Sequence, residues 1–326
     1  MENNQTKIVT LIPSATEIVA FLGKQDSIVG CSHECDYPKD IKGLFKLTSP
    51  KLNIDGTSQE IDKQINKILI NSLSVYKVDV DKLKELEPDF IVTQDQCEVC
   101  AVSFSEVEDF VKEHLSQKTK IISLSPNTLN DVFNDIKKVA KTIGVLNKTN
   151  KNKINKLELR LSEIKTRSAI QTKKPLVACI EWINPLMIAG NWIPEMVKIA
   201  GGINVLGKNG ENSHWIEFDE IASIDPDLII FLPCGFNITK TVKELKMCLN
   251  NDLKWESLIA YKNNKLFVAD GNQFFNRPGP RLIESLEILA EIIHPNVYQF
   301  NHEQTGWIKY KKNNINYPLN IPFGWW

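Results

Sequence analysis

Two stretches of this chain carry the same pattern. Residues 79–92 read DVDKLKELEPDFIV and residues 217–230 read EFDEIASIDPDLII. Aligned without a gap, Asp81 meets Asp219, Leu86 meets Ile224, Pro88 meets Pro226 and Asp89 meets Asp227. Each predicts a short helix, a Pro-Asp turn and a buried, β-branched strand, because a residue before proline leaves the helical region. Flanking segments correspond as well. Lys7–Leu11 and Pro175–Ile180 read as strands leading into helices that end near Gly23 and Gly201. Lys120–Leu124 and Lys265–Ala269 read as strands leading into helices over Leu129–Ile143 and Arg281–Ile292. Strands alternating with helices imply parallel sheets covered by helices.

Between the copies lies Asn127–Ser168. Val132, Ile136, Val139 and Ile143 repeat at helical spacing, as do Ile154, Leu157, Leu161 and Ile164. Asn127 or Thr128 can cap the first helix, and Gly144 can end it. The second is rich in Lys and Glu and apolar on one stripe; at about 1.5 Å per residue, twenty residues of it span roughly 30 Å. The expected fold class is α/β: two Rossmann-like parallel-sheet lobes joined by a long backbone α-helix. The expected divisions are an N-terminal lobe over 1–126, a helical linker over 127–172, a C-terminal lobe over 173–300 and a tail over 301–326. One continuous doubly wound sheet is the alternative.

A chain of 326 residues is large enough for two α/β cores. A net charge of −1 offers nothing to a polyanionic partner, so no nucleic-acid role is expected. No apolar run approaches the roughly 20 residues a membrane span needs. The opening MENNQTK has no basic cluster before an apolar core, so either the protein stays in the cytoplasm, the location expected here, or a leader is missing from this sequence. Seven cysteines cannot all pair within one chain.

The candidate ligand groups follow strand ends. Pro13-Ser14-Ala15-Thr16-Glu17 offers backbone N–H groups and hydroxyls at a helix start, although Ser14 with Glu17 is also a capping box by spacing. Ser32-His33-Glu34-Cys35-Asp36-Tyr37 follows the next strand and reads as a loop at the mouth of a cleft. Cys31, His33 and Cys35 have metal-ligand chemistry, but C-x-H-x-C lacks a fourth ligand. After Phe90–Thr93 come Gln96, Cys97 and Cys100. The C-x-x-C spacing leaves open a reversible disulfide, inert thiols or a strand-end ligand loop, the last being favoured by its position.

In the second half, Trp182 and Trp192 flank a Pro- and Gly-rich turn, and Trp215 follows. They suit a wall that stacks on a flat ligand; packing beneath the loop is the alternative. The loop containing Phe274, Phe275 and Arg277 can reach a ligand's amides or phosphate. The tail's aromatics, among them Trp307, Tyr310, Phe323, Trp325 and Trp326, suggest docking on the body or on a partner.

SATEIVAFLG, GCSHECDYP, the twin units, AGNWIPEMVKIAGG and FFNRPGPRLIESLEILAEII together resemble the cobalamin (vitamin B12)-binding proteins. These are ABC-transporter substrate-binding proteins with a rigid interlobe helix. The resemblance spans about residues 7–293. It implies a corrinoid ligand between the lobes, held by Ser14, Thr16, Ser32, His33, Glu34, Tyr37 and Gln96 on one side. Trp182, Trp192, Trp215, Phe274, Phe275 and Arg277 would meet it from the other. It further implies that Asp81 and Asp219, where the family usually carries Glu, dock on a transporter permease. A monomer with no catalytic residues and no cofactor beyond its corrinoid ligand is expected. A leaderless member would hold or pass on a corrinoid inside the cell. Two other functions fit the residues. The same fold can take a ferric siderophore, haem or a metal ion through Cys31, His33, Cys35, Cys97 and Cys100. A thiol-dependent oxidoreductase can use Cys97 and Cys100, although no general acid–base set or phosphate-binding glycine loop accompanies them.

Overall fold

The computed structural model describes residues 6–69, 75–95, 104–115 and 118–311. The described chain divides into two compact units. The first takes residues up to 56, 60–126 and 130–154; the second takes 57–59, 127–129 and 155 onward.

The elements run β1 (Ile8–Thr10), α1 (Pro13–Phe21), β2 (Ile28–Cys31), β3 (Phe45–Lys46), β4 (Thr48–Pro50), α2 (Ser58–Leu69), β5 (Tyr76–Val78), α3 (Val80–Leu86), β6 (Phe90–Gln94), α4 (Phe104–His114) and β7 (Lys120–Leu124). Helices α5 (Leu129–Thr142) and α6 (Lys148–Ala169) follow. Then come β8 (Leu176–Trp182), β9 (Met187–Ile188), α7 (Ile193–Ile199), β10 (Ile203–Asn204), β11 (His214–Trp215), α8 (Phe218–Ile224) and β12 (Leu228–Phe231). The last are α9 (Ile238–Asn251), α10 (Ile259–Lys262), β13 (Leu266–Ala269), α11 (Leu282–Ile293) and β14 (Trp307–Lys309). None of the described helices is long and apolar enough to cross a membrane.

The first unit carries a five-stranded sheet in the order β3-β2-β1-β6-β7. Every pair in it is parallel. Strands β4 and β5 form a separate antiparallel ribbon. Val9, Leu11, Leu47, Leu83, Ile91 and Val107 pack into its core. The second unit's sheet runs β11-β9-β8-β12-β13-β14, with β10 also on β8. Its centre β8-β12-β13 is parallel, as the alternation requires. Its edges are antiparallel: β9 and β11 on one side, β14 on the other. These edges are two or three residues long, too short to leave a period in the sequence. Trp255, 2% exposed, sits in this unit's core against Phe231 and Phe218, with ring centroids 5.7 and 5.2 Å away.

The repeated unit is the same object twice. Helices α3 and α8 are each seven residues long and end on a left-handed residue, Glu87 at φ 45° and Asp225 at φ 48°. The aspartate after each proline then turns to the first strand of its own unit. Asp89 accepts the N–H of Lys7 at 2.9 Å, and Asp227 accepts that of Leu176 at 2.8 Å. Gly144 ends α5 at φ 75°, where a side chain would be strained. Helix α6 starts in the first unit and passes into the second after Ile154.

Candidate functional site

In the first unit the candidate residues lie where β1 and β2 end. Helix α1 begins at Pro13, whose missing N–H costs nothing in a first turn. Its cap is Ile12, with no side-chain hydrogen bond. The expected Ser14–Glu17 capping box is therefore not formed, because proline starts the helix one residue too early for Ser14 to sit outside it. Ser14 is instead 1% exposed, and its Oγ has no hydrogen-bond partner among the described residues. Thr16 is used fully: its Oγ1 lies 2.6 Å from Thr10 Oγ1 and 3.0 Å from Cys35 Sγ.

The loop after β2 is organised by Thr48, at the start of β4. Thr48 Oγ1 lies 3.0 Å from Ser32 Oγ and 2.7 Å from His33 Nδ1, and it accepts the backbone N–H of His33 at 3.0 Å. Tyr76 donates its hydroxyl to Glu34 at 3.0 Å and packs its ring on His33, centroids 5.2 Å apart. Burial, aided by the charge of Lys46, pulls His33 down to about 4, so its imidazole is neutral at neutral pH. Tyr37 is 44% exposed.

The C-x-H-x-C does not assemble as a metal centre. The imidazole turns to Thr48, while Cys31 Sγ lies against Lys46 Nζ and Cys35 Sγ against Thr16 Oγ1. Among the described residues no group of three or more His, Cys, Asp or Glu could hold a metal ion. Gln96, Cys97 and Cys100 lie outside the described residues.

In the second unit the equivalent place is the end of β8. Glu181 receives the Ser213 hydroxyl at 2.7 Å, and Ser213 Oγ accepts the N–H of Gly190 at 3.0 Å. Burial pushes the Glu181 carboxyl up to about 7 against that hydrogen bond. Gly190 is required here: a Cβ would stand 2.3 Å from the carbonyl oxygen of Glu211. The residue after Glu181, Trp182, is 8% exposed and packs on Phe236 with centroids 5.2 Å apart. Its Nε1 is buried without a partner among the described residues.

Trp192 is 6% exposed and donates its indole N–H to the carbonyl of Phe275 at 3.0 Å. Of the expected aromatic wall, Trp182 and Trp192 are thus largely packed inward; Trp192, with its polar tip satisfied, is good core material. Phe274 and Phe275 are also buried, and so is Arg277, which donates to Asn272 Oδ1 at 3.2 Å. Trp215 differs: it is 54% exposed on β11, beside the exposed His214.

Asp81 and Asp219 occupy matching places, second in α3 and second in α8, and both are exposed. The turns before them are closed by other groups. Asp79 accepts the N–H of Lys82 at 3.0 Å, and Glu217 with Glu220 forms a reciprocal capping box. Neither Asp81 nor Asp219 is the cap of its own helix.

Lys46, Thr48 and Glu181 carry much of this chemistry and were not singled out from the sequence. Only Glu181 left a signal, an acid inside the apolar run of β8.

Similarity to known proteins follows the fold. An uncharacterized ABC transporter substrate-binding lipoprotein of Bacillus subtilis is 23% identical over 301 residues, covering 90% of this chain and 81% of the relative. The periplasmic vitamin B12-binding protein of Vibrio cholerae superposes with a TM-score of 0.62 at 17% identity, covering 90% of this chain and 98% of the other. A periplasmic haem-binding protein from Roseiflexus sp. RS-1 gives 0.66 at 16% identity, covering 90% of this chain and all of the other. A possible iron-binding protein of Staphylococcus epidermidis gives 0.64 at 20%, covering 88% and 98%. At these identities the solved structures establish the fold.

The lipoprotein relative overturns the expected cytoplasmic location and points away from the cytoplasm. That expectation rested on the first residues, and where this sequence begins does not decide the compartment. The sequence profile of the periplasmic binding proteins matches residues 8–272, and the chain belongs to that family.

Proposed function

We propose that this chain is the substrate-binding component of an ABC transporter and that its ligand is a corrinoid. One observation carries the reading. The first strand of each unit, β1 and β8, leads to a buried donor with no partner among the described residues: Ser14 Oγ after β1 and Trp182 Nε1 at the end of β8. Buried polar atoms are almost always paired, and in α/β folds ligands bind outside the carboxyl ends of strands. Each of the two is a neutral donor, of the kind that an amide side chain of a corrin ring accepts from. The exposed indole of Trp215 adds a flat apolar face for the macrocycle. Asp81 and Asp219, exposed and equivalent in the repeat, are the proposed contacts for a cationic surface of the permease.

His214 favours a second reading. It is exposed beside Trp215 and carries an imidazole that can ligate haem iron. One titration separates the two. The protein is mixed with cyanocobalamin, cobinamide or haemin and passed through a desalting column, and absorbance and Trp emission are read. The corrinoid reading expects one equivalent of corrinoid retained, with quenched emission. Retention of haemin alone, with a Soret band that moves in His214→Ala, replaces it with haem. If no ligand is retained at micromolar concentration, the corrinoid reading falls.

A further inference from the structure

The ligand reading leaves one pair of cysteines unused. Cys31 ends β2 and is 0% exposed; Cys35 is 3% exposed. A turn closed by the N–H of Cys35 on the carbonyl of Ser32, at 3.1 Å, folds the chain back just after β2. Each thiol is among the groups that shift the acidity of the other. Cys35 Sγ also lies 3.0 Å from Thr16 Oγ1. Lys46 holds both residues: its Nζ is 3.4 Å from Cys31 Sγ and donates to the Cys35 carbonyl at 2.6 Å.

We propose that Cys31 and Cys35 form a thiol–disulfide exchange site that closes to an intrachain disulfide on meeting a small-molecule disulfide. The Cys31 thiolate attacks one sulfur of the disulfide; an S–S bond forms to Cys31, and one thiolate leaves. Cys35 then gives up its proton and attacks Cys31 Sγ, releasing the second thiol. The pair is oxidised by two electrons and the small disulfide is reduced to two thiols.

The thiols are unequal in the way such a pair needs. The hydrogen bond from Cys35 and the charge of Lys46 pull Cys31 down to about 7 despite burial. Burial and the neighbouring sulfur push Cys35 well up. The chain supplies its own contrast: Cys248, also a free thiol, is pushed up by burial to about 11. Because Cys31 has no exposed surface, the Ser32–Pro38 loop must lift before attack, and exchange follows that local opening. Once closed, the disulfide ties down the loop that holds His33 on Thr48 and Glu34 on Tyr76.

The test uses the full chain in a series of oxidised and reduced glutathione, quenched in acid, alkylated and digested with trypsin. Cys31 and Cys35 fall between Lys24 and Lys39 and so share a peptide. The expected result is a peptide that loses both alkyl groups together and is lighter by two hydrogens, with one midpoint. Cys35→Ser should stop at a glutathione adduct on Cys31, whereas Cys31→Ser should leave Cys35 unmodified. Lys46→Gln should slow closure several-fold. A peptide that stays doubly alkylated in fully oxidised glutathione overturns the proposal. So does pairing of either thiol with Cys97 or Cys100.

Discussion

The carboxylate of Asp227 receives the backbone N–H of Leu176 at 2.8 Å and thereby fixes where β8 begins. The bond joins the turn after α8 to the strand beside β12. Its counterpart in the first unit joins Asp89 to Lys7 at 2.9 Å. In each unit the carboxylate takes a backbone N–H where the strand begins, Lys7 just before β1 and Leu176 as the first residue of β8. Asp227→Ala should lower the unfolding free energy by about 1 kcal/mol, below the range for a bond to a charged acceptor because this one is solvated. Asp227→Asn, which keeps an acceptor oxygen, should lose less. Urea unfolding of both variants checks the order.

Glu291 is the heavier polar anchor. It is 5% exposed in α11 and gathers the segment leading to β14. Its carboxylate accepts the backbone N–H groups of Phe300, Asn301 at 2.7 Å and His302 at 3.2 Å, and the indole N–H of Trp307 at 2.8 Å. Every partner is a donor, so an amide in its place must point one N–H at another. Glu291→Gln should cost about 2–3 kcal/mol, the range for unsatisfied buried groups around a lost charged acceptor. Near-ultraviolet circular dichroism should show the Trp307 environment loosened. Unchanged stability would mean that β14 holds through its pairing with β13 alone.

The parallel cores and the long helix were legible because they carry period and repeat. The Pro-Asp turns placed β6 and β12, and Gly144 placed the end of α5. The antiparallel edges were not legible, since two-residue strands such as β9 and β11 carry no period. Nor was the start of α1: Ser14 and Glu17 have the spacing of a capping box, but the order Pro13-Ser14 puts the serine inside the helix. The tryptophans look alike in sequence, but Trp192 is buried with its indole N–H on the Phe275 carbonyl, Trp182 is buried with its N–H unpaired among the described residues, and Trp215 is exposed. Lys46 and Thr48 act on residues far from them in sequence, and no local pattern marks such long-range polar pairs.

Stability should fall with rising pH through the titration of Glu181. Burial raises its folded pKa to about 7, while in the unfolded chain it returns to the ordinary glutamate range. Between those values the folded state binds more protons, so the stabilisation is fully present in acid and is lost as pH passes 7. Asp135, raised by burial to about 6, acts in the same sense. Comparing wild type with Glu181→Gln therefore isolates one group. From pH 5 to pH 8 the wild type should lose up to ~2 kcal/mol more than the variant, following 1.36 kcal/mol per pKa unit with a discount for partial solvation. Urea midpoints at both pH values give the answer, and equal losses would place Glu181 in contact with water.

Trp215 should separate binding from folding. It is 54% exposed and sits on the outermost strand, paired with Met187 of β9. Exposed substitutions away from such anchors typically change stability by no more than about 0.5 kcal/mol, so Trp215→Ala should melt with the wild type. If the indole stacks on the ligand, its loss should weaken binding by roughly tenfold, the effect of about 1.4 kcal/mol from one aromatic face. Trp192→Ala should behave in the opposite way. It removes a buried ring and leaves the Phe275 carbonyl without its donor, which should cost about 3–5 kcal/mol of stability. Isothermal titration with cyanocobalamin beside thermal melts of both variants reads the two effects independently. Full affinity in Trp215→Ala would remove the indole from the ligand's surroundings and leave Ser14 and Trp182 as the groups to test next.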